Sequence, residues 1–327
     1  MCLYPMLGIQ VGLTEKGKPN YHLIPYSDPN YRKYAADERY IQIPCGVCME
    51  CRLKKSRDWA TRMMLERQYH DESYFLTLTY DDKNIPPSYV PDFKTGEAIM
   101  VGTLVVKDVQ DFMKRLRRYL EYRNLPQIRF YACGEYGSTT HRPHYHLIVF
   151  GLHLDDIKEF KRSKLGFPYY TSDTIAKLWP QGYHLICNVT WDTCAYVARY
   201  VTKKLGGDYK EFYDIFNIQP EFSLMSRKPG IAKQYFDEHK DDIYRMDELF
   251  LQLHDGGKKV KPPQYYDRLY DIENHERLET IKADRRRTAE MIQQLKDRNT
   301  TLSPEEQNIM RERLMKKRLE MLVRPDI

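Results

Sequence analysis

Two short β-prone segments joined by a turn-rich link constrain the fold of this chain most. Residues 127–133 and 144–151 are rich in β-branched and aromatic side chains. The link between them, Gly134-Glu-Tyr-Gly-Ser-Thr-Thr-His-Arg-Pro143, is full of turn formers. Such a pattern predicts an antiparallel pair. Tyr74-Phe-Leu-Thr-Leu-Thr-Tyr80 reads as a further strand, and Tyr183–Thr190 as another opened by Gly182.

Helices are expected between and around these strands. Arg52–Gln68 and Asp108–Tyr122 carry apolar residues at helical spacing; in the second these are Val109, Phe112, Leu116 and Tyr119. Helices are also predicted over residues 155–164, 174–178 and 193–205, the last capped by Asp192 and ended by Gly206-Gly207. Residues 81–91 read as a loop and 1–44 as irregular. Two further helices are expected over 265–297 and 304–322. The second starts with Pro304 behind a Ser303/Glu306 capping box. The order predicts an α+β fold, a central antiparallel sheet with flanking helices, preceded by a cysteine knuckle and followed by a helical C-terminal extension. The boundaries expected are 1–70 for the knuckle and its basic helix, packed on the catalytic domain, 71–207 for the core, 208–257 for an extension and 258–327 for a basic tail.

Composition excludes some classes. Of 327 residues, 42% are hydrophobic, enough for a buried core, and the longest apolar run, Leu147–Leu152, is far below the ~18 residues of a spanning helix. No membrane association is expected. The N-terminal Met1-Cys-Leu-Tyr-Pro5 lacks the pattern of a signal peptide. The net charge of +6 is clustered. Residues 258–327 hold 17 Lys and Arg against 13 Asp and Glu, and further basic groups lie at Arg52, Lys54, Lys55, Arg57, Arg62 and Arg67 and at Lys114–Arg118. Each cluster alone fits a solvated helix face; three together fit contacts to a phosphate backbone.

Three constellations carry chemistry. Cys45-Gly-Val-Cys48-Met-Glu-Cys51 is a run of thiols able to grip one tetrahedral zinc ion. Cys2 is the first candidate for a fourth ligand and His70 the second; an iron–sulfur cluster and plain free thiols are the alternatives. Cys133, Cys187 and Cys194 read as core residues. His144 and His146 are two apart on a strand, so both imidazoles face one side. With Glu135 from the partner strand they could hold a divalent ion such as Mg²⁺ or Mn²⁺ and leave positions open for substrate oxygens; His141 is a weaker ligand candidate. Tyr196 and Tyr200 lie one turn apart on a helix, followed by Lys203 and Lys204. Tyrosine spacing alone says little. Chance gives roughly two Tyr-x3-Tyr pairs in a chain with 27 tyrosines, and Tyr209/Tyr213 and Tyr266/Tyr270 share the spacing.

Together these residues resemble the HUH endonucleases, the rolling-circle replication initiators. Phe75-Leu-Thr-Leu-Thr79, His144-Tyr-His146 with Glu135, and Tyr196-Val-Ala-Arg-Tyr200 with Lys203-Lys204 look like their three motifs. Met1-Cys-Leu-Tyr-Pro5, Pro44–Cys51, Gly134-Glu-Tyr-Gly137, Arg142–His146 and Met225-Ser-Arg-Lys-Pro-Gly230 look more closely like the initiators of the gokushovirus branch of Microviridae. The resemblance covers about residues 1–240. It implies a nick in one strand of phage origin DNA, with a metal on Glu135, His144 and His146, and a tyrosine nucleophile at Tyr196 or Tyr200. Lys204 or Lys203 would assist the phenol, leaving a 5′-phosphotyrosine that is later religated. Arg52, Lys54, Lys55, Arg57, Arg142 and Lys203 would contact DNA. No Walker-type loop is present, so unwinding would fall to a host helicase and synthesis to a host polymerase, in the bacterial cytoplasm. The rivals are a plasmid relaxase, a two-tyrosine transposase and a non-catalytic zinc-knuckle DNA-binding protein.

Overall fold

Alternation of large apolar side chains along three strands sets the centre of the fold. In β4 (Ser73–Tyr80) Leu76, Leu78 and Tyr80 point to one face; in β8 (Pro143–Phe150) Tyr145, Leu147 and Val149 do the same. They meet the apolar stripe of α3 (Val106–Tyr122), where Val109, Phe112, Met113, Leu116 and Leu120 are all buried. Trp179, which follows α4 (Asp173–Leu178), closes this core and donates its indole N–H to the Thr79 carbonyl at 3.0 Å. Truncating Phe112 to Ala here would cost about 3–5 kcal/mol.

The computed structural model describes residues 2–15, 17, 19–92, 94–137, 140–163, 166–200, 213–253 and 256–321. The chain divides into two units, Lys55–Glu279 with Arg324–Ile327, and Met1–Lys54 with Thr280–Val323. The larger holds a seven-stranded sheet in the order β12-β7-β8-β4-β11-β10-β9, every pair antiparallel. Its other strands are β7 (Arg129–Tyr136), β9 (Ile157–Arg162), β10 (Pro168–Ser172), β11 (Gly182–Asn188) and β12 (Phe222–Met225). The α+β class with a large antiparallel sheet is as expected.

Several expectations are corrected. Residues 157–162 form a strand, not a helix. They pair with β10, and the hairpin is closed by the Ser163 N–H donating to the Phe167 carbonyl at 2.9 Å. The charged Lys-Glu-Phe-Lys-Arg pattern suits a helix locally, but sheet pairing overrides it. The expected loop at 81–91 ends in β5 (Pro87–Pro91), which pairs with β6 (Ala98–Gly102). Strands β7 and β8 reach Tyr136 and Pro143, shortening the link between them and placing Glu135 inside a strand. Helix α5 (Trp191–Tyr200) is capped by Thr190, not Asp192: the Thr193 N–H donates to Thr190 Oγ1 and the Thr190 N–H to Thr193 Oγ1. The predicted continuation of that helix to 205 lies outside the described residues.

A buried carboxylate ties the start of β7 to its surroundings. Glu66, near the end of α2 (Met49–Arg67), accepts from Arg129, from the Ala232 N–H before α6 (Lys233–Met246) and from His70 at 3.2 Å. Arg62 of α2 donates to the Ile231 carbonyl and is stacked between Trp59 and Tyr265. It therefore belongs to the interior and not to a basic surface. The remaining elements of this unit are a β13 (Leu249–Leu253) and β14 (Gly256–Val260) hairpin and α7 (Gln264–Glu273).

The smaller unit is more ordered than its sequence suggests. Residues 1–44, expected to be irregular, contain a three-stranded sheet β2-β1-β3, with β1 (Met6–Leu13), β2 (Pro19–Ile24) and β3 (Tyr40–Ile43), and a short helix α1 (Tyr31–Ala35). Its core is small, built on Leu7, Ile24 and Tyr31 with Tyr26, Tyr34 and Tyr40 around it, while Val11, Leu13 and Ile41 stay exposed. The helical tail is one helix longer than expected. The stretch 265–297 breaks at Asn274 into α7 and α8 (His275–Arg298), and α9 runs Pro304–Met321. The Ser303/Glu306 capping box forms as expected. Within this unit the Asn308 side-chain amide donates to the Leu3 carbonyl at 2.6 Å and the Tyr4 hydroxyl to Glu312. Among the described residues no helix is long and apolar enough to cross a membrane.

Glu66 provides a test of the larger unit. Burial opposes its charge, but the His70, Ala232 and Arg129 contacts prevail and hold the carboxyl below its ordinary 4.5. Its stabilisation is therefore present above that pH and fades as pH falls below it. Glu66→Gln should lower the urea midpoint at pH 7, by about 1–3 kcal/mol in unfolding free energy, and the gap from the unmodified protein should shrink on acidification towards pH 3.

Candidate active site and cysteine cluster

Sheet register assembles the candidate active site on the face opposite α3. Glu135 stands directly across from His144 in the β7–β8 pair, and His144 across from Thr79 in the β8–β4 pair. One step along, Cys133, His146 and Thr77 form the next row. Both histidine Nε2 atoms converge on one oxygen, Glu135 Oε1, at 2.9 Å for His144 and 2.7 Å for His146. His146 is fully buried and Glu135 only 2% exposed.

The outer nitrogens are held as well. His144 Nδ1 lies 3.0 Å from the Arg142 carbonyl, and His146 Nδ1 lies 3.0 Å from Thr77 Oγ1. A carbonyl only accepts, so the His144 Nδ1 carries its hydrogen and a neutral ring presents a lone pair at Nε2. That lone pair faces the Glu135 carboxylate. Two acceptors at 2.9 Å need a proton or a cation between them. Burial by itself would raise the Glu135 pKa, but hydrogen bonds and positive charge from His144 and His146 outweigh it and pull the carboxyl down to about 2. A carboxylate with two imidazoles, each fixed from behind, is a donor set suited to a divalent ion, and the three ligating atoms lie within 4.8 Å of one another. His141 of the link is not part of this group.

Helix α5 covers these rows. Tyr196 donates its hydroxyl to Glu135 Oε1 at 3.3 Å and stands edge-on to His146, with ring centroids 5.1 Å apart. Phe75 stacks on the other side of His146 at 5.3 Å. Tyr200 ends the helix, but its side chain, with Lys203 and Lys204, lies outside the described residues. The other equally spaced tyrosines have different surroundings. Tyr266 is buried and donates to the Ala232 carbonyl, Tyr270 stacks on Tyr244 at 3.8 Å, and Tyr213 bonds to Glu221; Tyr209 lies outside the described residues. Thr77, the hydroxyl behind His146, was not singled out from sequence. Its signal was present in the alternation of Phe75, Thr77 and Thr79 along β4, which places a polar residue at a core position.

The expected DNA contacts are spread over the structure. Lys54, Lys55 and Arg57 are exposed on α2 and Arg52 is half-buried. Arg142 donates to the Tyr80 carbonyl and pairs with Asp82 at 2.7 Å, beside the end of the histidine strand. The exposed groups of Lys114–Arg118 lie on α3, on the other face of the sheet from Glu135.

The smaller unit brings together all four expected cysteines. Cys2, Cys45, Cys48 and Cys51 offer sulfurs within 4.8 Å of one another. Cys2 Sγ is 3.5 Å from Cys45 Sγ and 3.7 Å from Cys48 Sγ. Ligands 2.3 Å from one tetrahedral ion sit about 3.8 Å apart. Gly46, at φ +76°, allows the tight turn that returns Cys48 to Cys45, whose sulfur accepts the Cys48 N–H at 3.3 Å. Burial would raise Cys48, but the backbone N–H groups of Cys51 and Leu3 bring it down to about 7; burial keeps Cys51 up, at about 11. His70, the alternative fourth ligand, instead contacts Glu66 and stacks on Phe150. Cys133 and Cys194 are buried as expected, and Cys187 is half-buried.

Thr77 gives a direct test of the candidate metal group. Thr77→Val should weaken Mn²⁺ binding, followed by calorimetry, by roughly tenfold or more, while Thr77→Ser should bind as the unmodified protein does.

Comparison with known proteins places this chain among phage proteins. A family profile described as replication-associated protein ORF2 matches residues 73–205. The chain is 35% identical over 296 residues to the replication-associated protein ORF2 of Spiroplasma virus 4, covering 88% of this chain and 86% of that one. It is 31% identical to the replication-associated protein VP4 of Bdellovibrio phage phiMH2K, over 84% of this chain and 78% of the relative. It is also 35% identical to the replication-associated protein ORF4 of Chlamydia phage 1, over 50% of this chain and 38% of the relative. No solved structure matches.

Proposed function

The chain belongs to the replication-associated proteins of small phages, and we propose that it initiates phage DNA replication by nicking one strand at the origin through a tyrosine nucleophile, as an HUH endonuclease. The observation that carries this reading is the convergence of His144, His146 and the Tyr196 hydroxyl on one buried carboxylate oxygen of Glu135.

Glu135, His144 and His146 would hold a divalent ion, Mg²⁺ or Mn²⁺. When bound, that ion draws charge from the non-bridging oxygens of the scissile phosphate. The remaining chemistry belongs to the chain. The phenol oxygen of Tyr196 or Tyr200 attacks phosphorus and loses its proton. The P–O3′ bond breaks, and the departing 3′ oxygen takes up a proton. The product is a 5′-phosphotyrosine and a free 3′-OH. A phenol with an ordinary pKa near 10 is a weak nucleophile at neutral pH, so Lys204 or Lys203 supplies positive charge beside it. The phosphodiester energy stays in the covalent link, so attack by a 3′-OH reseals the strand without ATP. α5 packs Tyr196 against His146 and excludes water from the inner row.

The four cysteines would hold a structural zinc ion, and Arg52, Lys54, Lys55, Arg57, Arg142 and Lys203 would contact the strand. On this reading the protein works on single-stranded origin DNA in the bacterial cytoplasm, with host helicase and polymerase as partners.

Incubation with an origin oligonucleotide and Mn²⁺ should give a covalent adduct on a denaturing gel. Tyr196→Phe/Tyr200→Phe and His144→Ala/His146→Ala should each lower its yield by at least about a hundredfold. Adduct formation by the tyrosine double variant at the unmodified level would overturn the nucleophile assignment. Metal analysis should find about one zinc per chain, and Cys2→Ser/Cys48→Ser should lose it along with thermal stability, without loss of Mn²⁺ binding at the histidines.

A further inference from the structure

The row of residues that contains Glu135 and His144 does not end at the sheet centre. His144 stands across from Thr79, and Thr79 stands across from Tyr183 in the β4–β11 pair. Alternation along β11 settles the direction of Tyr183. Ile186 packs in the core with Leu76 and α3, so residues 183, 185 and 187 point to the opposite face, the one that carries the histidines. With strands about 4.8 Å apart, the Tyr183 backbone lies about 10 Å from that of His144 on the same face.

Exposure rises steadily along this row. Glu135 is 2% exposed, the His144 side chain 16%, Thr79 is half-buried, and Tyr183 is 69% exposed. The inner end is roofed by Tyr196; the outer end is open. The backbone under Tyr183 is firmly set. Thr79 Oγ1 lies 3.4 Å from the Tyr183 carbonyl, and at Gly182 a Cβ would stand 2.4 Å from the Thr79 carbonyl, so no side chain there could keep β11 against β4. A lone exposed aromatic is ordinary on a protein surface. One fixed on the open end of a metal-ligand row is a flat platform for the base of a strand entering that row.

We infer that Tyr183 stacks on a nucleobase flanking the scissile phosphate, so that single-stranded DNA runs across the sheet face from Tyr183 over Thr79 to Glu135. This rests on the reading that this face acts on single-stranded DNA. Stacking is indifferent to the base and needs no phosphate contact. The ring therefore contributes affinity without adding to the salt dependence.

The test separates binding from chemistry. Binding of a fluorescein-labelled oligothymidylate of about 20 nucleotides is followed by anisotropy in EDTA, in the Tyr196→Phe/Tyr200→Phe background. Tyr183→Thr, which keeps strand propensity and removes the ring, should raise Kd by about 5- to 100-fold with the salt slope unchanged. Tyr183→Phe should stay within about twofold. Wild-type affinity in Tyr183→Thr, an equal loss in Tyr183→Phe, or no binding by the parent protein each overturns the inference. If Tyr183→Thr weakens binding as expected while the unmodified protein forms no adduct, the nicking reading fails and the stacking contact stands.

Discussion

A carboxylate taken out of water must be given donors or positive charge, and Glu135 receives both on a single oxygen. The cost of leaving such a group unpaired in an interior is several kcal/mol. That demand fixes much around it. Two imidazoles must face it, so β8 must pair with β7 in one register. A shift of one residue would turn Tyr145 toward Glu135 and send both histidines into the α3 core. The Tyr145 hydroxyl resists that shift. It lies 2.6 Å from the Tyr80 hydroxyl and accepts the Val105 N–H at 2.8 Å, so the residue between the histidines pins the strand from behind.

The same arrangement explains why the site is rigid at its centre and open at its edge. Thr77 and the Arg142 carbonyl fix the rings, Phe75 and Tyr196 enclose His146, and Glu66 anchors Arg129 where β7 begins. Cover thins toward β11. A rigid inner row suits the orientation of a phosphate, and an open outer row suits the passage of a polymer. The cysteine cluster follows a separate logic. The core of residues 1–44 rests on three buried side chains, and a small core of this kind commonly gains stability from a metal.

What sequence could disclose varied with the physics of each segment. The helix α3 was legible because one whole face is apolar at helical spacing. The capping box at Ser303 and the cysteine run were legible because they are local. The strand at 157–162 was misread because its exposed residues have no apolar alternation and its pairing partner supplies the structure. The sheet in residues 1–44 was missed for a related reason: Val11, Leu13 and Ile41 stay exposed, so no period marks a buried face. Asp192 looked like a cap by residue type, yet Thr190 holds the position whose side chain reaches the Thr193 N–H.

Sequence by itself determined the chemistry on offer: two histidines on one strand face, a nearby glutamate, four thiols and three pairs of tyrosines at equal spacing. Those are statements about residue type and short-range geometry. Tertiary structure decided which of them meet. It put Glu135 across from His144, placed Tyr196 on the carboxylate while Tyr213, Tyr266 and Tyr270 went to packing, and brought Cys2 to Cys45 across more than forty residues. The reason is that sheet register and helix docking are set by the burial of distant side chains, and no local spacing contains that information.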